Sequence, residues 1–153
     1  MPLFSLAQRR VFISHSSRDR RLVGRIARIL EDRKISYWYS PTHIVGAKQW
    51  HDEIGRALAR CNWFLVVLTP DAVRSEWGKR ELVFALNATR YRKRIVPLLC
   101  KPCQYSRLSW TLSGLELVDF TTDFETGCQQ LLRVWNLRYM PKAVASRAMK
   151  RKR

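Results

Sequence analysis

Short apolar runs alternate along this chain with longer amphipathic segments, and this alternation limits the possible folds more than any other feature of the sequence. The apolar runs have the length of strands and are rich in β-branched and aromatic residues. They predict strands at 10–14, 35–39, 62–68, 94–99 and 115–120. The amphipathic segments predict helices at 19–33, around 50–58, at 75–89 and at 122–137.

Strands separated by helices form βα units, whose right-handed crossovers produce a mostly parallel sheet covered on both faces. We therefore predict an α/β, flavodoxin-like fold, a five-stranded parallel sheet with helices on both faces, and we assume the strand order 2-1-3-4-5 that is common in such folds. In this order a ligand binds beyond the carboxyl ends of strands one and three, where the direction of winding reverses. Two polar segments are expected to meet there, 14–18 after the first strand and 75–81 after the third.

The length and composition fit one domain, since 153 residues with 46% hydrophobic residues can enclose a core of ordinary size. We place this domain at 9–140, after an extension at 1–8 and before a basic, disordered tail at 141–153. No apolar stretch approaches the roughly 20 residues that a membrane span needs, and the first residues lack the pattern of a secretory signal. A cytoplasmic protein with no membrane partner is expected.

The four cysteines give little support for metal or redox chemistry, because only Cys100 and Cys103 are closely spaced. A structural zinc site usually uses two such pairs. A thioredoxin-like pair opens a helix, whereas this pair follows a predicted strand and contains a proline. We expect no metal site.

The formal net charge of +17 raises nucleic acid, or another anionic surface, as a partner. The basic residues are spread over the early, middle and final parts of the chain, and no aromatic residues are interleaved with them as in a nucleic-acid motif. Nucleic acid is therefore a candidate partner that the distribution of charge does not favour. A basic groove would also attract the phosphates of a dinucleotide.

Trp77 and Glu81 form the most informative pair of candidate site residues. A helix that begins near Ser75, a good N-cap residue, brings both side chains onto one face, with their Cβ atoms roughly 5–6 Å apart. A flat ring beside one carboxylate suits a cationic ligand that carries a sugar. The alternative is structural: Trp77 would lie in the core with Leu82 and Phe84, and Glu81 would form an exposed pair with a neighbouring arginine.

Five motifs resemble, in the correct order, those of Toll/interleukin receptor (TIR) domains of the bacterial, NAD-consuming type. They lie at 11–19, at 44–47 with Trp50 and Ile54, at 64–70 with 75–82, at 94–98 and at 119–120. The third motif contains the Trp-x-x-x-Glu element of the family as Trp77 and Glu81. The chain departs from the family at Ser40 and Pro41, where an acidic residue is frequent, and His15 stands where many members have tyrosine.

This resemblance implies hydrolysis or cyclisation of NAD+, with Glu81 as the catalytic residue. One carboxylate suffices to stabilise the oxocarbenium-like transition state, because nicotinamide is a cationic pyridinium that departs as a neutral molecule. Trp77 and His15 would confine the nicotinamide ring. The full set of expected ligand-binding residues is Ser14, His15, Ser16, Arg18, Gly46 and Trp77. Attack by water would give ADP-ribose and attack by a group of the substrate a cyclic product, and the sequence leaves both open.

A non-enzymatic adaptor is the main alternative, because many relatives in animal signalling act through TIR–TIR association. The loop at 40–47 would then be a docking surface. Self-association also fits an enzyme whose site is completed by a neighbouring copy. The resemblance further implies a role in bacterial anti-phage immunity, together with a separately encoded sensor or effector protein.

Overall fold

The sheet has five parallel strands in the order 2-1-3-4-5, which confirms the predicted topology. The computed structural model describes residues 8–39 and 47–141, without the side chains of 47–51 and 76–78. The strands are β1 (Arg10–Ser14), β2 (Ser36–Tyr39), β3 (Trp63–Leu68), β4 (Ile95–Leu99) and β5 (Val118–Asp119). Strand β1 lies between β2 and β3, with Phe12 in register with Trp38 on one side and Phe64 on the other.

Helices connect the strands and cover both faces of the sheet. Those in the described residues are α1 (Arg20–Asp32), α2 (Ala47–Arg60), α3 (Pro70–Val73), α4 (Glu76–Asn87) and α5 (Phe124–Arg133). Short 3₁₀ segments lie at Ser17–Asp19, Thr89–Tyr91, Tyr105–Arg107 and Trp110–Gly114. The prediction of helices on both faces is therefore confirmed.

Each face of the sheet has its own apolar core, because side chains alternate between the two faces along a strand. Helices α1 and α5 cover the face that includes Val11 and Ile13, and Ile26 and Leu131 are buried there. Helices α2 and α4 cover the opposite face, on which Phe12 and Phe64 pack. Burial on both faces explains why the strand sequences are almost continuously apolar.

Helices α1 and α5 both end in a left-handed residue that stops the helix. Lys34 has φ 57° and Asn136 has φ 58°. The next amide along the chain bonds back five residues in each case, Ile35 to the Leu30 carbonyl and Leu137 to the Leu132 carbonyl, both at 2.9 Å. This Schellman arrangement satisfies carbonyls at the helix end and turns the chain sharply.

Three elements differ from the sequence prediction. Helix α3 was not predicted, because four residues are too few to show helical periodicity. Strand β5 has two residues rather than six, since the chain first passes through the 3₁₀ segment at 110–114, where Leu112 is buried. Helix α5 ends at Arg133 rather than 137, because the chain turns at Asn136, while apolar residues such as the buried Trp135 continue past the end of the helix.

None of the helices in the described ranges combines the length and hydrophobicity that crossing a bilayer requires. All four cysteines are free thiols. Among the described side chains, no group of three or more His, Cys, Asp or Glu residues is arranged to hold a metal ion.

Candidate active site

Buried polar side chains concentrate at one edge of an otherwise apolar interior. In the described part of the chain, the polar or charged residues that are buried are Ser14, Ser16, Asp19, Thr69 and Glu81. All of them lie at or beyond the carboxyl ends of β1 and β3, the edge at which ligands bind in sheets of this order. Burying polar groups is unfavourable unless they are hydrogen-bonded, so their concentration marks this edge as a candidate site.

Glu81 is the central group of this site. It lies on α4, next to the fully buried Leu82, and only 8% of its surface is exposed. The Ser14 hydroxyl, at the end of β1, donates a hydrogen bond of 2.5 Å to Glu81 Oε2. The structure therefore brings together two residues that are far apart in sequence, as the predicted topology requires.

Burial raises the pKa of Glu81 from 4.5 to about 7, and the hydrogen bond from Ser14 opposes this shift in pKa. Desolvation disfavours the charged carboxylate, whereas a hydroxyl donor stabilises it. At neutral pH this carboxyl group therefore exchanges between its neutral and anionic forms. Such a group can receive a proton or stabilise a developing positive charge.

His15 lies beside this pair and presents a neutral imidazole. Its Nδ1 donates to the Ser16 carbonyl oxygen at 2.7 Å, and its ring contacts the edge of Tyr39 at 5.7 Å between centroids. Burial is the main cause that lowers the pKa of His15 below 6.5. Its Nε2 is buried and accepts no hydrogen bond from any described residue, which leaves a hydrogen-bond acceptor for a ligand donor.

Ser16 and Arg18 have structural contacts in addition to their predicted ligand roles. The Ser16 hydroxyl accepts a hydrogen bond of 3.3 Å from the Arg18 amide and so caps the 3₁₀ segment at 17–19. The Arg18 side chain is 79% exposed and lies 3.8 Å from Asp71 on α3. Arg18 thus lies at the rim of the site, whereas Ser14, His15 and Ser16 line its interior.

Two predicted site residues cannot be placed with the others. Trp77 belongs to the first turn of α4, but its side chain lies outside the described part of the structure. Gly46 and the loop at 40–46 lie outside the described residues altogether. The ligand roles of all the predicted residues stay predictions.

The structural alternative for the 75–81 segment is wrong in two respects. Glu81 is buried against Ser14 and is not an exposed partner of an arginine. Phe84 is 51% exposed and does not belong to the core, although Leu82 is fully buried. Helical geometry explains the difference, because Leu82 and Ala85 face the sheet while Val83 and Phe84 face away from it.

A second buried hydrogen bond in this site was not predicted from the sequence. The Thr69 hydroxyl donates to Asp19 Oδ2 at 2.5 Å, and both side chains are buried. Thr69 Oγ1 also accepts from the Ala72 amide at 3.1 Å, which makes Thr69 the N-cap of α3. A Thr-Pro pair after an apolar strand could have indicated this helix start, since proline is favoured at the first helical position.

Comparisons with known proteins agree with the observed topology. The sequence model of the TIR domain family matches residues 11–132. No match was found among curated protein sequences.

Two solved structures are similar in fold. The TIR domain of the Toll-related receptor TRR-2 from the lower metazoan Hydra magnipapillata superposes with a TM-score of 0.58 at 20% identity, over 72% of this chain and 83% of that one. The TIR domains of the activated Roq1 resistosome, which directly recognises the pathogen effector XopQ, superpose with a TM-score of 0.65 at 18% identity. That match covers 83% of this chain and 99% of the other.

Proposed function

Since this chain belongs to the TIR domain family, we propose that it is an NAD+ glycohydrolase or cyclase that cleaves the bond between nicotinamide and ribose. The observation that carries the proposal is the buried Glu81 carboxyl group, held by Ser14 at the ligand-binding edge of the sheet. The resemblance of the sequence motifs to those of bacterial TIR domains is the basis for also proposing a role in anti-phage defence.

The proposed reaction needs one anion and no general acid. When the C1′–N bond breaks, its electron pair passes to the pyridinium nitrogen, so nicotinamide leaves neutral and the ribose becomes an oxocarbenium ion. Anionic Glu81 stabilises that cation, in a site where exclusion of water strengthens the electrostatic interaction. Water then attacks C1′ and releases a proton to give ADP-ribose, or a nucleophile of the same molecule closes a ring.

The pKa of Glu81 predicts the pH dependence of this activity. Only the anionic form stabilises a cation, and burial raises the pKa of Glu81 to about 7. The value of kcat/KM should therefore rise with pH and level off above about pH 7, because this parameter reports the ionisation of the free enzyme.

Release of nicotinamide from NAD+ by the purified protein tests the proposal, with mass spectrometry of the second product to distinguish ADP-ribose from a cyclic form. Glu81→Gln keeps the shape but removes the charge, and should lower kcat/KM on the order of 10³-fold. Glu125→Gln is the matched control, since Glu125 is exposed on α5, and it should keep the wild-type rate. Equal turnover by the wild type and Glu81→Gln contradicts the proposal.

A non-catalytic adaptor is the second candidate, and the outer surface of α4 favours it. Val83 and Phe84 are adjacent on this helix and are 49% and 51% exposed, so they form a contiguous apolar surface of the kind found at contacts between proteins. Assays over a range of protein concentrations distinguish the two functions. Absence of turnover at every concentration, including those at which the protein self-associates, favours the adaptor.

A further inference from the structure

Two buried hydrogen bonds join the segment after β1 to the segment after β3, and each links a hydroxyl to a carboxyl group. Ser14 donates to Glu81, and Thr69 donates to Asp19, both at 2.5 Å. The direction of donation is opposite in the two bonds. Ser14 of the β1 segment donates to Glu81 of the β3 segment, whereas Thr69 of the β3 segment donates to Asp19 of the β1 segment. We refer to them as the paired hydroxyl–carboxylate bonds.

The Thr69 hydroxyl links the start of α3 to Asp19. Thr69 Oγ1 donates to Asp19 and accepts from the Ala72 amide in the first turn of α3. A hydroxyl can donate and accept at the same time, and an aliphatic side chain of equal size can do neither. The start of α3 is therefore fixed against the 3₁₀ segment at 17–19.

Helix α3 in turn leads directly into α4. The amide of Ser75 donates to the Ala72 carbonyl at 3.0 Å, and α4 begins at the next residue, Glu76. Ala72 thus contacts Thr69 through its amide and the start of α4 through its carbonyl. A shift of α3 moves the helix that carries Glu81.

We propose that Thr69 and Asp19 are positioning residues for Glu81, whose bond sets α3 and α4 so that the Glu81 carboxyl group reaches the Ser14 hydroxyl. The consequence for activity rests on the proposed function above. The consequence for the environment of Glu81 does not, because it follows from the geometry of the paired hydroxyl–carboxylate bonds alone.

Thr69→Val is the primary test, because valine has nearly the same shape and lacks the hydroxyl. Displacement of α4 should lower kcat about 10- to 100-fold with little change in KM, the effect of a misplaced catalytic group. Thr69→Ser retains a hydroxyl, and its kcat should stay within about threefold of wild type.

A second readout is the titration of the Glu81 carboxyl carbon by NMR in the absence of NAD+. In Thr69→Val, water reaches the displaced carboxyl group, so the pKa of Glu81 should fall from about 7 toward 4.5. In Thr69→Ser the titration should stay as in the wild type. A merely destabilising substitution elsewhere should not move this titration.

Tyr91→Phe is the matched control. It also removes one buried hydroxyl, which donates to the Leu58 carbonyl at 2.6 Å near the amino ends of β3 and β4. This variant should unfold at a lower denaturant concentration, yet keep the Glu81 titration and kcat of the wild type.

The proposal is overturned if Thr69→Val leaves both the Glu81 titration and kcat unchanged, or if Thr69→Ser loses as much as Thr69→Val. If Thr69→Val does not fold, Asp19→Ala removes the other partner and is measured in the same way, with an unchanged titration again overturning the proposal. Full activity of Glu81→Gln would reject the proposed function instead, and the NMR titration would still decide whether Thr69 positions Glu81.

Discussion

The two ends of the parallel sheet use hydrogen-bonded side chains in different ways. At the amino ends of the strands, side chains bond to the main chain: Tyr91 donates to the Leu58 carbonyl, and Asn62 bonds to the Arg10 amide and the Gln8 carbonyl. At the carboxyl ends, hydroxyl groups bond to the carboxyl groups of Asp19 and Glu81.

The two ends therefore differ in what their hydrogen-bonded side chains contribute to stability. A hydrogen bond to a main-chain carbonyl holds the chain in place and has no titrating partner in the physiological range. Ionisation of the buried Glu81 carboxyl group lowers the free energy of unfolding, whereas an apolar side chain of similar size would not have this effect. The side chains at the amino end thus fasten the chain, whereas the carboxyl end retains, in Glu81, a buried carboxyl group that stability alone does not explain.

Removing the Glu81 charge should change stability more than any other substitution that tests the difference between the two ends. Because the folded pKa of about 7 exceeds the ordinary 4.5, the folded protein binds the proton more tightly, and the free energy of unfolding falls as pH rises between these values. The loss reaches roughly 3 kcal/mol above pH 7. Urea unfolding at about pH 5 and about pH 8.5 should show this loss in the wild type but not in Glu81→Gln. If the free energy of unfolding changes equally with pH in both proteins, ionisation of the buried Glu81 does not reduce stability.

At the amino end, Tyr91→Phe should lower the free energy of unfolding by about 1 to 2 kcal/mol, because the Leu58 carbonyl loses its buried donor. This loss should not depend on pH between about 5 and 8.5, since no carboxyl group is involved. Denaturant unfolding of both proteins across this range checks the prediction. A pH-dependent loss would remove the distinction between the two ends.

Ser14→Ala tests whether the hydroxyl at the carboxyl end of β1 lowers the pKa of Glu81. The Ser14 hydrogen bond lowers the pKa of Glu81, so its removal should shift the rising limb of kcat/KM to higher pH by about one unit. The pH profile of nicotinamide release measures the shift, with the exposed Ser113→Ala as control. If kcat/KM of Ser14→Ala rises over the same pH range as in the wild type, the Ser14 hydroxyl does not affect the pKa of Glu81.

The smallest effect is expected for Asp71→Asn, at the rim of the same edge. Asp71 lies 2.9 Å from Arg74 and 3.8 Å from Arg18, and both arginine side chains are more than 70% exposed. Exposed ion pairs stabilise weakly, so the free energy of unfolding should change by less than about 1 kcal/mol. Thermal unfolding at low and high salt checks this prediction. A larger loss of stability would mean that the ion pairs of Asp71 at the rim also stabilise the fold.

The alternation of strands and helices was sufficient to predict a parallel sheet, and the strand order assumed for it, which the structure confirms, places Ser14 and Glu81 at one edge. The sequence was not sufficient for the bond between Asp19 and Thr69. Asp19 was taken as part of a helix start, for which aspartate is typical, and its partner is 50 residues away. No local pattern indicates such a contact, and none indicates that Arg18 lies toward Asp71 at the rim.

Strand β1 lies in the interior of the sheet, paired on both sides as far as Ile13, and Ser14 still pairs with β3 at Val66. Its backbone cannot shift without breaking ladders to two neighbours, so the Ser14 hydroxyl is a fixed point of the molecule. Helix α4 meets the sheet through side chains alone. A motion that opens this edge of the sheet should therefore displace the helix rather than the strand, and amide exchange should be faster in α4 than in β1.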